Sequence, residues 1–326
     1  MGSMFSLNFD ASVNSSYQSE IALGFSRWDE IVSGIKSPGG DIPHQITVNI
    51  SSDSGITAAA VALTTGLENV NGLFYPKTVQ LKIKEQNLPR LLSTKIPSNP
   101  SSDPKKTLLY YLSLHEACHL LGVGNLWSSR NLLKVFLGDT FYIGSNAVRE
   151  YKTAFSNWPD SSNFFGVPVE DGGGLGTEGT HPEEGRKSDP GNLPHYLLNN
   201  SIIYPGLEGE IMTGWLENKA MPLSRISIAF LEDLNYSVDY SKADNFFVAH
   251  DPPATPTPRT PTPLPPETPT KTSTPNAGVT AITPTPRLPP SNFTPYNSIV
   301  SKYLEKSNVL KSSNHLNRSN SLKENL

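Results

Sequence analysis

The sequence predicts an α+β domain followed by a Pro/Thr-rich tail with no fold of its own. Three observations carry that expectation. Apolar residues alternate with polar ones near the start, at Phe5, Leu7 and Phe9, and again at Ile46, Val48 and Ile50. Stretches of helical spacing stand between and after these strands without strict β-α alternation. The composition then changes abruptly near residue 250. Of the 29 prolines in 326 residues, 14 fall within 251–290, together with 11 threonines. Such a segment cannot bury enough apolar surface to offset chain entropy, and repeated X-Pro steps hold it extended.

Taken in order, Phe5–Phe9 reads as a first strand. Ser15 or Ser16 is expected to cap a helix on which Ile21, Phe25, Trp28, Val32 and Ile35 recur at helical spacing. Ile46, Val48 and Ile50 suggest a second strand, and Val79, Leu81 and Ile83 another. Residues 94–106, polar and rich in Pro and Ser, read as a loop. From Thr107 the apolar density rises through Leu108, Leu109, Leu112 and Leu114 into a helix that stops at Gly122 and Gly124. The glycine-rich run 171–180 reads as a loop. Ser224 caps a short helix bearing Ile226, Phe230, Leu231 and Leu234. The expected organisation is a folded domain over 1–250, a linker over 251–290 and a low-complexity tail over 291–326. The tail's one apolar cluster is Ile299, Val300, Tyr303 and Leu304.

Charge and cysteine usage exclude several classes. Lys and Arg number 26 against 30 Asp and Glu, a net charge of −4, which gives no reason to expect a nucleic-acid partner. The charge is unevenly placed: residues 1–250 carry −8 and residues 251–326 carry +4. No stretch reaches the roughly 18 apolar residues of a transmembrane helix. A single cysteine, Cys118, rules out an internal disulfide framework. No secretory leader is visible, so the expected location is cytoplasmic, or outside the cell by a non-classical route. The oligomeric state is left open.

The chemistry concentrates in His115-Glu116-Ala117-Cys118-His119-Leu120-Leu121-Gly122. On a helix, positions i and i+4 share a face, so both imidazoles can ligate one zinc ion. Glu116 then sits beside the metal as a candidate general base. Two surface histidines on an ordinary helix would come with a polar face, whereas this stretch is embedded in leucines. Cys118 is expected to be a small buried apolar residue rather than a ligand.

Zinc needs a third protein ligand. Metzincin peptidases continue HExxH with xxGxxH; here Gly122 stands in the glycine position, but Asn125 occupies the ligand position. His181, His195, His250 and His315 remain downstream. His315 lies in the tail and His250 borders the linker. His181 follows Gly172-Gly173-Gly174-Leu175-Gly176-Thr177-Glu178-Gly179-Thr180, a loop able to fold back under the helix, and is favoured over His195.

Residues 115–127, HEACHLLGVGNLW, resemble the helix of leishmanolysin-like zinc metallopeptidases, metzincins whose motif is interrupted before the third histidine. Three further stretches follow in that family's order. Val167-Pro168-Val169-Glu170 with Gly172–Thr177 resembles the segment leading to the third zinc histidine, which falls on His181. Glu210-Ile211-Met212-Thr213-Gly214 resembles the Met-turn, and Pro222 to Tyr236 resembles the closing helix. The resemblance covers about residues 1–242, weakly before 108. The lone cysteine departs from disulfide-rich leishmanolysin and fits short, core-only relatives. Residues 182–208 form an insertion between His181 and Met212.

The resemblance implies a metzincin-like fold, a mixed sheet with an active-site helix. It also implies a Zn2+ cofactor held by His115, His119 and His181, with Gly122 and Met212 as structural support. The implied activity is endopeptidase hydrolysis of a peptide or protein substrate by a zinc-activated water, with Glu116 as general base. The alternatives are a zinc-bound but inactive binding domain and a structural domain displayed on a Thr/Pro stalk.

Overall fold

Period-two alternation organises the first part of the chain. The computed structural model describes residues 3–56, 58–96, 106–136, 138–159, 161–171, 177–185, 195–198 and 202–246, all within the compact unit Met1–Arg259. Strand β1 (Phe5–Phe9) leads into helix α1 (Ser15–Asp29) and strand β2 (Val32–Ile35). Strands β3 (Ile46–Asp53), β4 (Ala60–Val70) and β5 (Leu73–Lys84) follow. One mixed sheet forms in the order β1-β3-β5-β4, parallel from β1 to β5 and antiparallel at β4. Val48, Ile50, Val79, Leu81 and Ile83 are buried on one face. Asn8, Asn49 and Gln80 pair across the other. A one-residue slip would turn the apolar set into water, so the alternation itself specifies the register.

Helix α1 crosses over the buried face and packs against the later helix that carries the paired histidines. Its buried side is Ile21, Gly24, Phe25 and Trp28. The cap is Asn14, one residue ahead of the expected serines: its side chain accepts the N–H groups of Ser16 and Tyr17. The helix also ends sooner than its apolar spacing suggests. Val32 and Ile35 belong to β2, a strand completed by a partner from the far end of the chain.

After helix α2 (Leu88–Ser93), the short strands β6 (Lys95–Ile96) and β7 (Lys106–Thr107) pair with each other. Helix α3 (Leu108–Leu121) then begins. Thr107 caps it by accepting the Tyr110 N–H at 2.9 Å, and every one of its residues except His115 is buried. A helix apolar nearly all round is a core helix, and any polar group it carries needs a reason to be there. Gly122 ends it with φ at +114°, a conformation that favours glycine.

The remainder closes around α3. Strands β8 (Leu133–Phe136) and β9 (Asp139–Tyr142), helix α4 (Ser145–Ala154) and strand β10 (Val167–Pro168) form a small three-stranded sheet with one helix. Strands β11 (His195–Leu198) and β12 (Ile202–Pro205) make a hairpin within the segment read as an insertion. Ser224 caps helix α5 (Arg225–Asp233) as expected. Strand β13 (Tyr236–Val238) pairs antiparallel with β2, which supplies the tertiary partner that turned Val32 and Ile35 into strand. Trp127, Tyr142 and Phe230 pack tilted or edge-on, with ring centroids 4.7–5.0 Å apart, beneath the exit of α3. Asp233 on α5 accepts the Asn146 and Ala147 N–H groups at the start of α4.

The architecture is α+β with a mixed sheet and five α-helices among the described residues. The linker 251–290, the tail 291–326 with its apolar cluster, and His250 and His315 lie outside those residues, as does 97–105 of the expected loop. No helix among the described residues is long and apolar enough to cross a membrane.

The Trp28 ring nitrogen donates to the Leu114 carbonyl at 2.8 Å in the buried seam between α1 and α3. Trp28→Phe removes that donor and leaves a small void. It is expected to lower stability by about 1–3 kcal/mol, read as an earlier urea-unfolding midpoint.

Candidate metal centre

Three histidines arrive from two places. His115 and His119 sit one turn apart on α3, and His181 follows the turn at Thr177–Thr180. Their Nε2 atoms lie 3.0 Å (His115–His119), 2.9 Å (His119–His181) and 3.2 Å (His181–His115) apart. His119 and His181 are buried, and His115 is partly exposed. His181 thus closes the cluster. His195 begins the β11 hairpin instead.

The other ring nitrogens decide what this triangle can hold. His115 Nδ1 is 2.6 Å from the Ile211 carbonyl oxygen, and His119 Nδ1 is 2.9 Å from that of Val123. His181 Nδ1 is 2.9 Å from the carbonyl oxygen of Thr177. A carbonyl only accepts, so each Nδ1 carries the proton and each Nε2 presents a lone pair. Burial is the main force pulling all three rings below the ordinary histidine value. The neighbouring rings lower His115 and His181 further, and His115 falls to about 3. Three neutral lone pairs facing one another without a proton between them repel, unless a cation sits among them. Ligands about 2.0–2.1 Å from one tetrahedral ion stand about 3.3 Å apart, close to the observed spacing. These residues therefore fit a metal ion that takes neutral imidazoles.

Glu116, next to His115 on α3, is 7 % exposed. Burial pushes its carboxyl up to about 8, with no neighbouring group offsetting the effect. A cation at the triad would draw it back toward the ionised form. Cys118 is fully buried and free, its thiol pushed up by burial, as expected of a packing residue.

The backbone shows how the third histidine is brought in. Gly124 has φ at +75°, and a side chain there would strike the Thr180 carbonyl, the residue just before His181. This close approach docks the His181 turn onto the exit of α3. The sequence marks Gly124 only as a helix terminator; its contact with a residue so far along the chain has no local signature. Asn125, in the position where a contiguous motif would carry its ligand, donates its amide to the His119 carbonyl at 3.0 Å. Met212 is fully buried in the turn Glu210–Gly214. Its neighbours border two of the rings: Ile211 through its carbonyl, and Gly214, whose Cβ position lies 3.9 Å from His181 Cγ.

Compared with models of known protein families and with curated protein sequences, the chain gives no match.

In the unfolded chain these histidines take up protons near 6.5, whereas in the folded, metal-free chain they stay neutral to lower pH. The unfolded state then binds more protons, so stability falls as pH drops below 6.5 and continues falling toward about 3 for His115. Above 6.5 these groups contribute no slope. Each ring adds up to about 1.4 kcal/mol per pH unit within its window. Glu116, pushed up to about 8, binds a proton only in the folded state over the same range and opposes this slope. The rings' share is therefore read as a difference: thermal unfolding in a chelating buffer is expected to fall more steeply between about pH 7 and about pH 5 in the parent than in His115→Phe.

Proposed function

We propose that the chain is a zinc-dependent endopeptidase of the leishmanolysin-like, metzincin type. His115, His119 and His181 would hold the ion, and Glu116 would serve as general base. The observation that carries this reading is the convergence of three Nε2 lone pairs, two from a buried helix and one from the turn before Pro182, with the buried carboxyl of Glu116 next in sequence to His115. Four motifs in the family's order, and the mixed sheet the resemblance implies, support the same reading.

When bound, zinc supplies Lewis acidity, lowering the pKa of a water toward neutrality and polarising the scissile carbonyl. The chain's own residues do the rest. Glu116 accepts the proton of the attacking water and passes it to the departing amine. Its place next to His115 in the chain would bring the acceptor to the same end of the site, and its buried surroundings would strengthen its electrostatic interaction with the reacting atoms. The three Nδ1–H···O=C bonds hold the rings in one tautomer, so no ring must reorient during turnover. Met212 would serve as a buried packing surface in the turn that borders the rings, and Gly122 lets the chain leave α3 so that Val123 can present its carbonyl to His119.

The test is hydrolysis of an unfolded protein by the full chain. The parent is expected to cleave, and a zinc chelator to stop it. Glu116→Ala should retain one zinc per chain while turnover falls by about 10²–10⁴-fold or more. His181→Ala should lose the metal. Zinc-loaded, folded parent that cleaves nothing would overturn the peptidase reading in favour of a metal-bound binding domain.

A further inference from the structure

A second buried carboxylate, with no part in the chemistry above, stands two residues before Met212. Glu210 is 0 % exposed. Its Oε1 accepts the Ser224 N–H at 2.9 Å, the Ser224 hydroxyl at 2.7 Å and the Ser227 hydroxyl at 2.7 Å. Its Oε2 accepts the Met212 N–H at 2.6 Å. One oxygen therefore engages the first turn of α5, and the other engages the turn that borders the histidines.

The Met212 N–H is not an isolated donor. It belongs to the same peptide group as the Ile211 carbonyl, and that carbonyl accepts the His115 Nδ1–H at 2.6 Å. A trans peptide is planar, with its N–H and C=O pointing in opposite directions. Glu210 thus grips one edge of a rigid plate and His115 is bonded to the other. Rotating the plate to relax one bond breaks the second. A charge-assisted bond to the N–H also polarises the amide and makes its carbonyl a stronger acceptor. The rest of the turn holds the plate from the sides: Ile211 N–H donates to the Pro222 carbonyl at 3.0 Å, and the Thr213 hydroxyl donates to the Glu210 carbonyl at 2.9 Å.

We propose that Glu210 is a positioning residue for the metal centre: through the single peptide group joining Ile211 to Met212, it fixes the orientation and tautomer of His115. The inference rests on His115 being a metal ligand. It differs from a purely structural role, in which Glu210 would only fasten α5 to the preceding turn, by predicting an effect on metal affinity out of proportion to stability.

The experiment measures zinc affinity of the full chain by competition with a chromophoric chelator, alongside thermal unfolding and the ¹⁵N spectrum of the histidine rings in metal-free protein. In Glu210→Gln the amide must face either the Met212 N–H or the Ser224 N–H with its own NH2, so one anchor is lost. Zinc affinity is expected to fall about 10–100-fold, with His115 losing its single Nδ1–H tautomer. Glu210→Asp withdraws the carboxylate by one methylene and gives the same direction if Glu210→Gln does not fold. Ser227→Ala removes one donor on the α5 side and leaves the plate gripped; it should lower stability yet keep zinc affinity within about twofold, far from the change expected when a ligand's own hydrogen-bond partner is disturbed. Parental affinity and tautomer in the Glu210 variants would overturn the proposal. So would affinity losses in all variants that simply track their unfolding temperatures. A parent that takes up no zinc would instead overturn the metal reading on which the proposal stands.

Discussion

Three neutral imidazoles must aim their lone pairs at one point, and most of the C-terminal half can be read as the means of meeting that constraint. A histidine left free would choose its own tautomer and ring angle. Here each ring is held by a backbone carbonyl, and the three carbonyls come from three different places. Val123 belongs to the exit of α3, Thr177 to the turn before His181, and Ile211 to the turn before α5. Moving any one of these segments misaligns one ring, so their packing against α3 is a condition of the site. Trp127, Tyr142 and Phe230 fill the space beneath the helix exit, and Asp233 ties α5 to α4.

The cost of this arrangement lies in burial. Helix α3 carries Glu116 and His119 into surroundings made of leucine, tyrosine and alanine. Desolvation raises the carboxyl and lowers the rings, which keeps the rings unprotonated and ready to bind a cation near neutral pH. The same burial leaves the triad electrostatically unsatisfied without a cation. An isolated core helix would gain nothing from these residues; leucine at each position would pack at less cost. Their presence in a helix buried at every position but His115 therefore argues for a bound charge more strongly than the HExxH spacing alone.

Local patterns made some of this visible in the sequence. Phe5–Phe9, Ile46–Ile50 and Val79–Ile83 alternate because one face of their sheet is buried. Thr107 and Ser224 are capping residues at the starts of apolar runs. His115 and His119 lie at helical spacing, so their shared face follows from geometry. Other features have no local signature. Val32 and Ile35 continue the helical spacing of α1, and only pairing with Tyr236–Val238 makes them strand. Strand β4 carries a partly polar, exposed face, yet Asn71-Gly72 at its end, with φ of +54° and +84°, is a hairpin signal in plain view. The partnership of Gly124 with Thr180 and the grip of Glu210 on the Ile211–Met212 peptide depend on residues brought together by the whole fold.

The distance between the histidines would give a bound ion a second role. His119 and His181 are 62 positions apart, and an ion bound to both would close that span as a cross-link does. Closing a long loop in the unfolded chain is entropically unfavourable, by an amount that grows slowly with length. The fold has already met much of this cost before any ion arrives: Gly124 against Thr180, Glu170 N–H on the His181 carbonyl, and Glu183 N–H on the Pro168 carbonyl all fasten the His181 turn. A contiguous motif with its third ligand at residue 125 would need none of these contacts. In this chain Asn125 donates to the His119 carbonyl, and the third histidine comes on a separate turn that the surrounding backbone must hold. On the proposed reading, a short, self-contained metal loop is exchanged for one preorganised by tertiary structure. Ion binding would in this way be coupled to the packing of the whole C-terminal half.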